Sequence, residues 1–220
     1  MIREVDIELI SDGQRYTSND MVKISCNDCN GCSTCCHDVG NTIILDPYDI
    51  YNLQKATKKS FQELLQAGLI ALNVIDGLIL PNINMESTEK GCPFLNNEER
   101  CSIHTLRPGF CRLYPMGRIY ENDSFSYFHQ VNECTYPNKS KVKLKNWFGI
   151  PNLKDYEKFI LDYHNICRKL QDKFGSDNED TLKSINMLFL NLLFIKEYDL
   201  SMDFYEQYYE RTESISDLIK

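Results

Sequence analysis

Hydrophobic and polar positions change their period twice along the chain. Residues 2 to 10 set Ile2, Val5, Ile7 and Leu9 among polar neighbours, an alternation that predicts an N-terminal strand. Asp46-Pro47 reads as a helix cap with proline at the first helical position, opening a short helix through Leu53 with Asp49 in its first turn. Ser60 and Glu63 form a capping box for a second helix that runs to about Gly68. Asp76-Gly77 sits between two apolar runs and predicts a hairpin turn. A second hairpin is predicted around Glu121-Asn122-Asp123-Ser124, joining Gly117–Tyr120 to Phe125–Val131.

From Asn152 the period is helical. Tyr156, Phe159, Ile160, Tyr163, Ile166, Cys167 and Leu170 share one face, with Cys167 read as a small core residue. After a break at Gly175 to Asp180, a nearly all-apolar helix over about Thr181–Glu197 is expected to be deeply buried. A last helix carries Met202, Tyr205, Tyr208 and Tyr209, with the tyrosines read as core packing. No repeat or low-complexity run interrupts this order.

The 220 residues suffice for one sizeable core, or a core with an appended helical segment. The net charge of -8 repels phosphate backbones and argues against a nucleic-acid partner. The N-terminus lacks a basic start followed by an apolar run. The most apolar stretch, Ile185–Ile195, is broken by Asn186 and Asn191 and falls short of the ~20 residues that span a bilayer. The expected setting is cytoplasmic, with no membrane partner. In that reducing setting ten cysteines point to metal or redox chemistry rather than disulfides. The sequence holds no glycine-rich phosphate loop, dinucleotide fingerprint or nucleophile–base signature.

Nine of the cysteines lie between 26 and 134, as Cys26-x2-Cys29-x2-Cys32-x2-Cys35-Cys36 followed by Cys92, Cys101, Cys111 and Cys134. An x2 spacing lets two thiolates converge on one metal across a tight turn, a geometry that zinc and iron both use. Soft thiolates exclude magnesium, calcium and manganese. Nine ligands exceed the four of one tetrahedral ion. Either two centres exist, or one cluster takes some cysteines and a structural site the others. Adjacent side chains diverge, so Cys35 and Cys36 could serve different centres. Cys26, Cys29, Cys32 and Cys36 follow the C-x2-C-x2-C-x3-C run of bacterial ferredoxins, but His37 stands where proline is usual and Cys35 intrudes. Spacing alone leaves iron–sulfur and zinc both open.

Five blocks carry a resemblance: Cys29-Asn-Gly-Cys32-Ser-Thr-Cys35-Cys36, Ile43-Ile-Leu-Asp-Pro-Tyr-Asp-Ile50, Gly91-Cys-Pro-Phe-Leu95, Cys101-Ser-Ile-His104 and Arg107-Pro-Gly-Phe-Cys-Arg-Leu-Tyr-Pro-Met-Gly-Arg118. Over about residues 24 to 150 the chain resembles the YkgJ-type cysteine-cluster family, a zinc- or iron-chelating CxxCxxCC domain also described as a predicted iron–sulfur oxidoreductase. The resemblance implies Cys29, Cys32, Cys35, Cys36, Cys92, Cys101, Cys111 and Cys134 as metal ligands. Cys26 lies outside that set and stands as a ninth candidate. The implied function is an iron–sulfur centre for electron transfer or redox catalysis, with a protein redox or interaction partner. The alternative is zinc, in a structural module that binds another protein. A lesser likeness to the flagellin lysine N-methylases, which share the cysteine pair and the Cys-Pro-Phe-Leu block, implies a protein-modifying enzyme. No catalytic residue is assigned.

His104, Arg107 and Arg112 are candidate cofactor contacts. His104 could complete a site or hydrogen-bond to a thiolate, as could His37, although a plain structural role competes for both. Arg107 and Arg112 bracket Cys111 and could offset the negative charge of a thiolate cluster, or could pair with Asp46, Asp49 or Glu98 to lock the fold. The expected architecture is α+β and mostly helical. Residues 1–150 would form an irregular, metal-stapled, cysteine-rich core with short helices and small hairpins, and residues 151–220 a C-terminal helical segment packed on it.

Overall fold

In the computed structural model of the chain, the described residues are 7–26, 32–37, 39–88, 91–175 and 178–218. The chain enters as a single helical turn, α1 (Ile7–Ile10), in place of the predicted strand; residues 2–6 of that prediction lie outside the described residues. A period of two selects a strand only where an edge offers hydrogen bonds. Here the backbone first meets such an edge at Ser11, which bridges Gln130, while Leu9 is left 78% exposed.

The capped helices form where the polar signals place them. In α2 (Pro47–Thr57), Asp46 accepts from the Asp49 N–H at 2.9 Å and Asp49 accepts from the Asp46 N–H at 3.2 Å. The helix continues past Leu53 to Lys58, whose φ of 59° ends it. Ser60 and Glu63 make the same reciprocal cap on α3 (Phe61–Gln66).

Both predicted hairpins are present. β2 (Ile70–Ile75) and β3 (Leu78–Ile83) turn at Asp76-Gly77, with φ of 49° and 82°. β4 (Met116–Glu121) and β5 (Ser124–His129) turn at Asn122-Asp123, with φ of 50° and 54°. Two successive positive φ angles give the turn whose twist matches that of the strands it joins. A third pairing has no local signal: β1 (Met21–Ser25) runs antiparallel to β6 (Ser140–Lys143), from Met21 opposite Lys143 to Ser25 opposite Ser140. Two single-turn helices, α4 (Gly109–Leu113) and α5 (Leu144–Phe148), complete the cysteine-bearing part.

The remainder is helical: α6 (Leu153–Phe174), α7 (Glu179–Leu190) continuing as a π-turn over Asn191–Ile195, and α8 (Phe204–Leu218). α6 buries the predicted face, Cys167 included. α7 corrects the expectation of deep burial, because Met187 is 54% exposed while Phe189 and Leu190 are buried. It lies across β3, fastened by Asn186, which accepts from the Ile79 N–H at 2.6 Å and donates to the Gly77 carbonyl at 2.9 Å. Met202 precedes α8 and is exposed, whereas Tyr208 is fully buried. One hydrophobic core runs through the chain, with Ile24, Leu45 and Phe148 in the same cluster as Phe159, Phe194 and Tyr208. The class is α+β, with more helix than strand.

Candidate metal centre

Short local devices bring distant cysteines together. Cys35 and Cys36 sit on a 3-10 turn over Thr34–Cys36, closed by the Cys36 N–H donating to Ser33 at 2.7 Å. The Cys36 carbonyl accepts from the Cys92 N–H at 2.9 Å, tying the first cysteine group to the second. That approach needs Gly91, whose φ is 92° and where a Cβ would stand 2.6 Å from the Cys36 oxygen. Cys92 and Cys101 flank a loop held by Asn96, whose side chain accepts from the N–H groups of Glu98 and Arg100, and Leu95 bridges Cys101. Cys111 rides on α4. The Asp49 carboxylate accepts from the Gly109 N–H at 2.7 Å, anchoring α4 to α2.

The result is a cavity of about 380 Å³ bordered by Cys32, Cys35, Cys36, Cys92, Cys101 and Cys111. Much of the remaining wall is apolar, including Ile43, Phe94, Ile103 and Phe110, with Trp147 and Arg107 among the other lining residues. Cys26 and Cys134 border a smaller neighbouring cavity instead. Cys29 lies outside the described residues. No disulfide joins any two of the described cysteines. Nor, among the described residues, are three or more His, Cys, Asp or Glu side chains drawn into a ready-made ion site.

Burial governs the electrostatics. It pushes the Cys92 thiol up to about 11 and raises Cys101 and, well above the usual thiol range, Cys111, with the neighbouring thiols adding to each shift. Cys35 goes the other way, to about 7, because Cys36 hydrogen-bonds to its thiolate and the Arg107 guanidinium lies near. Cys36 is raised in return, chiefly by that same bond. Away from the cysteines, the capping-box carboxylates of α2 are raised by burial, Asp46 to about 6 and Asp49 well above the carboxylate range, with Arg118 partly offsetting both.

The three predicted cofactor contacts divide. Arg107 and His104 both line the cavity, and Arg107 donates to the His104 carbonyl at 2.9 Å. Arg112 does not line it. Its guanidinium is turned into the fold and donates to the carbonyls of Arg107 at 2.9 Å, Gly149 at 3.2 Å, Phe148 at 3.5 Å and Thr105. The arginine therefore knits α4 to α5 through backbone oxygens rather than through the carboxylates considered from the sequence. His37 bonds Ser33 at 3.2 Å, and Ser33 in turn donates to Glu99 at 3.2 Å. Sequence reasoning passed over Trp147 and Tyr114, which border both cavities and are joined by the indole N–H donating to the Tyr114 carbonyl at 3.1 Å. Trp147 is the one tryptophan in the chain, which was the available signal.

Comparison with known families bears directly on these thiols. A model of the CxxCxxCC family, described as a "putative zinc- or iron-chelating domain", matches residues 28–141. The chain belongs to this family. No curated protein and no solved structure matches it. Among the described residues, no helix is long and apolar enough to cross a membrane.

The CxxCxxCC donor set suits a soft metal ion. Its thiols are buried at an electrostatic cost that a cation would offset, and coordination deprotonates a thiol whatever its resting pKa. With the family match, the chain is a metal-binding cysteine-cluster protein for zinc or iron.

Proposed function

We propose that the larger cavity holds an iron–sulfur centre and that the protein serves electron transfer or redox catalysis, exchanging electrons with a protein partner. One observation carries this reading. Six cysteines border a single cavity of about 380 Å³. A lone zinc ion takes four ligands at ~2.3 Å and needs far less room. When bound, such a centre takes up and releases single electrons at a potential set by burial, charge and hydrogen bonds.

The chain's own residues would set those conditions. Cys32, Cys35, Cys36, Cys92, Cys101 and Cys111 supply thiolates there. Phe94, Ile103 and Phe110 limit water in the cavity. Arg107, held by His104, places positive charge near Cys35 and Cys101 and favours their thiolates.

The test is metal and sulfide analysis of protein purified without oxygen. The expected preparation is brown, absorbs near ~400 nm, and contains iron and acid-labile sulfide together. A colourless protein that carries zinc alone refutes the reading.

A further inference from the structure

Every strand of this fold lies at the edge of a two-stranded sheet, and an open edge offers unpaired N–H and C=O groups to any strand that can reach it. Exposed charge marks three of the strands: Lys23 on β1, Lys141 on β6 and Glu121 on β4. Neighbouring chain covers two more. Tyr16 bridges Tyr127 of β5, and β3 is bridged at Asn82 by Ile44 and held at Ile79 by Asn186. β2, which reads Ile70-Ala-Leu-Asn-Val-Ile75, has neither protection. It carries no charge and no proline, and its register with β3 is unbroken by any bulge.

The bonds of β3 show which groups of β2 are free. The Ile83 N–H donates to Ile43 at 3.0 Å, the Pro81 carbonyl accepts from the Leu45 N–H at 2.8 Å, and the Ile79 N–H donates to Asn186 at 2.6 Å. These residues therefore turn their backbone groups away from β2. Their antiparallel partners Ile70, Leu72 and Val74 must likewise turn theirs away from β3. Among the described residues, no other backbone group bonds to Leu72 or Val74 on that side. The two side chains share one face of the hairpin and are exposed, Leu72 by 39% and Val74 by 72%.

A second copy of this chain fits that edge. Each copy has a net charge of -8, so two copies repel wherever their charges approach, and β2 offers an approach without charge. Nor does β2 hold a charged side chain that could select a different partner. Antiparallel pairing about a two-fold axis at Asn73 sets Leu72 of each copy opposite Val74 of the other. Each such pair exchanges both of its N–H···O=C bonds, and the exposed leucines and valines meet as cross-strand neighbours on one face. Asp76, in the turn beyond β2, then lies about six residues from its counterpart, or ~20 Å at ~3.3 Å per residue, well beyond the ~8 Å screening length of physiological salt. A two-stranded hairpin is a marginal sheet by itself, and the pairing turns two of them into one sheet of four strands.

We propose that the chain forms a symmetric dimer in which the β2 strands of two copies pair edge to edge. The interface does not depend on what the cysteines hold, because no residue of β2 lines either cavity.

The test is sedimentation velocity of the full chain, purified without oxygen, over about 1 to 100 μM, where mass action reveals a dimer. Wild type is expected to be dimeric at the upper end. Leu72→Lys and Val74→Lys, checked for folding by circular dichroism, each bring one lysine per copy into the junction and should raise the dissociation constant by about 100-fold or more. Met187→Lys, at an exposed apolar position on α7, is the control and should leave the dimer intact. Wild type that stays monomeric throughout overturns the proposal. So does a dimer that both folded β2 variants keep. Should neither variant fold, hydrogen exchange of wild type decides. Leu72 and Val74 amides whose protection grows with protein concentration uphold the pairing, and protection that does not change with concentration ends it.

Discussion

Substituting Gly91 by alanine tests whether the geometry between the first and second cysteine groups is what makes the metal site. Gly91 has φ of 92°, a region that costs a residue with a Cβ about 1–3 kcal/mol. The new Cβ would also lie 2.6 Å from the Cys36 carbonyl oxygen and 3.0 Å from His37 Nδ1, so the Cys36 turn must shift. That shift weakens the 2.9 Å hydrogen bond from the Cys92 N–H to the Cys36 carbonyl, a loss of about 1 kcal/mol. Together the two effects amount to about 2–4 kcal/mol. If the site folds only as it binds metal, the same quantity appears as a fall in metal affinity of about 30- to 1000-fold. The assay is metal and sulfide content of Gly91→Ala and wild type prepared in parallel without oxygen, alongside urea unfolding. Gly13→Ala is the control: its φ is 74°, but a Cβ there meets nothing within 4 Å, so it carries backbone strain without disturbing a cysteine. Full metal loading of Gly91→Ala, with stability within about 0.5 kcal/mol of wild type, would refute the claim that this close approach organises the site.

Cys111→Ala should lose iron and sulfide and part of its fold stability, while Cys167→Ala should keep full metal content and lose only about 1–2 kcal/mol from the core, as read by metal analysis and urea melts. Arg112→Met should destabilise by about 3–5 kcal/mol, since it strands several backbone carbonyls, and Arg112→Lys should rescue little because an ammonium cannot serve the same spread of acceptors. Asp46→Asn tests the buried carboxylate. The folded pKa of Asp46 is raised to about 6 from an ordinary 3.8, so the native state holds the extra proton and wild type loses stability as pH rises between those values. Asparagine caps α2 as well as aspartate does and does not titrate. The stability of Asp46→Asn relative to wild type should therefore increase by up to about 3 kcal/mol between pH 4 and pH 7 in urea unfolding, and a flat difference would contradict the assigned burial.

Local signals were legible in proportion to how locally they act. Asp46-Pro47, Ser60 with Glu63, and Asp76-Gly77 each define an element within four residues, and each element is present. The alternation over residues 2–10 failed at Ile7–Ile10 because a strand needs an edge elsewhere in the chain, which no nearby residue reveals. The β1–β6 pairing was invisible for the same reason: Met21 and Lys143 carry no mark of each other in the sequence. α7 was misjudged because composition gives hydrophobicity without saying how many sides will be covered. The helix packs on β3 with one side, and Met187 on another side remains in solvent.

The same distinction governs the site. Thiol chemistry is written in residue type, so a soft-metal function could be read from cysteines at short spacing before any fold was known. Which thiols face one another is not a local property. It depends on the Cys92 N–H reaching the Cys36 carbonyl, on Asp49 holding α4, and on the β1–β6 register placing Cys26 near the Cys134 segment. Arg112 shows the limit most clearly. Its position beside Cys111 suggested a charge partner for the metal, yet α4 turns its guanidinium toward backbone carbonyls, while Arg107, four residues before Cys111, reaches the cavity. Proximity in sequence gave both arginines equal claim; α4 turns Arg112 into the fold, while Arg107, in the extended stretch before that helix, faces the cavity.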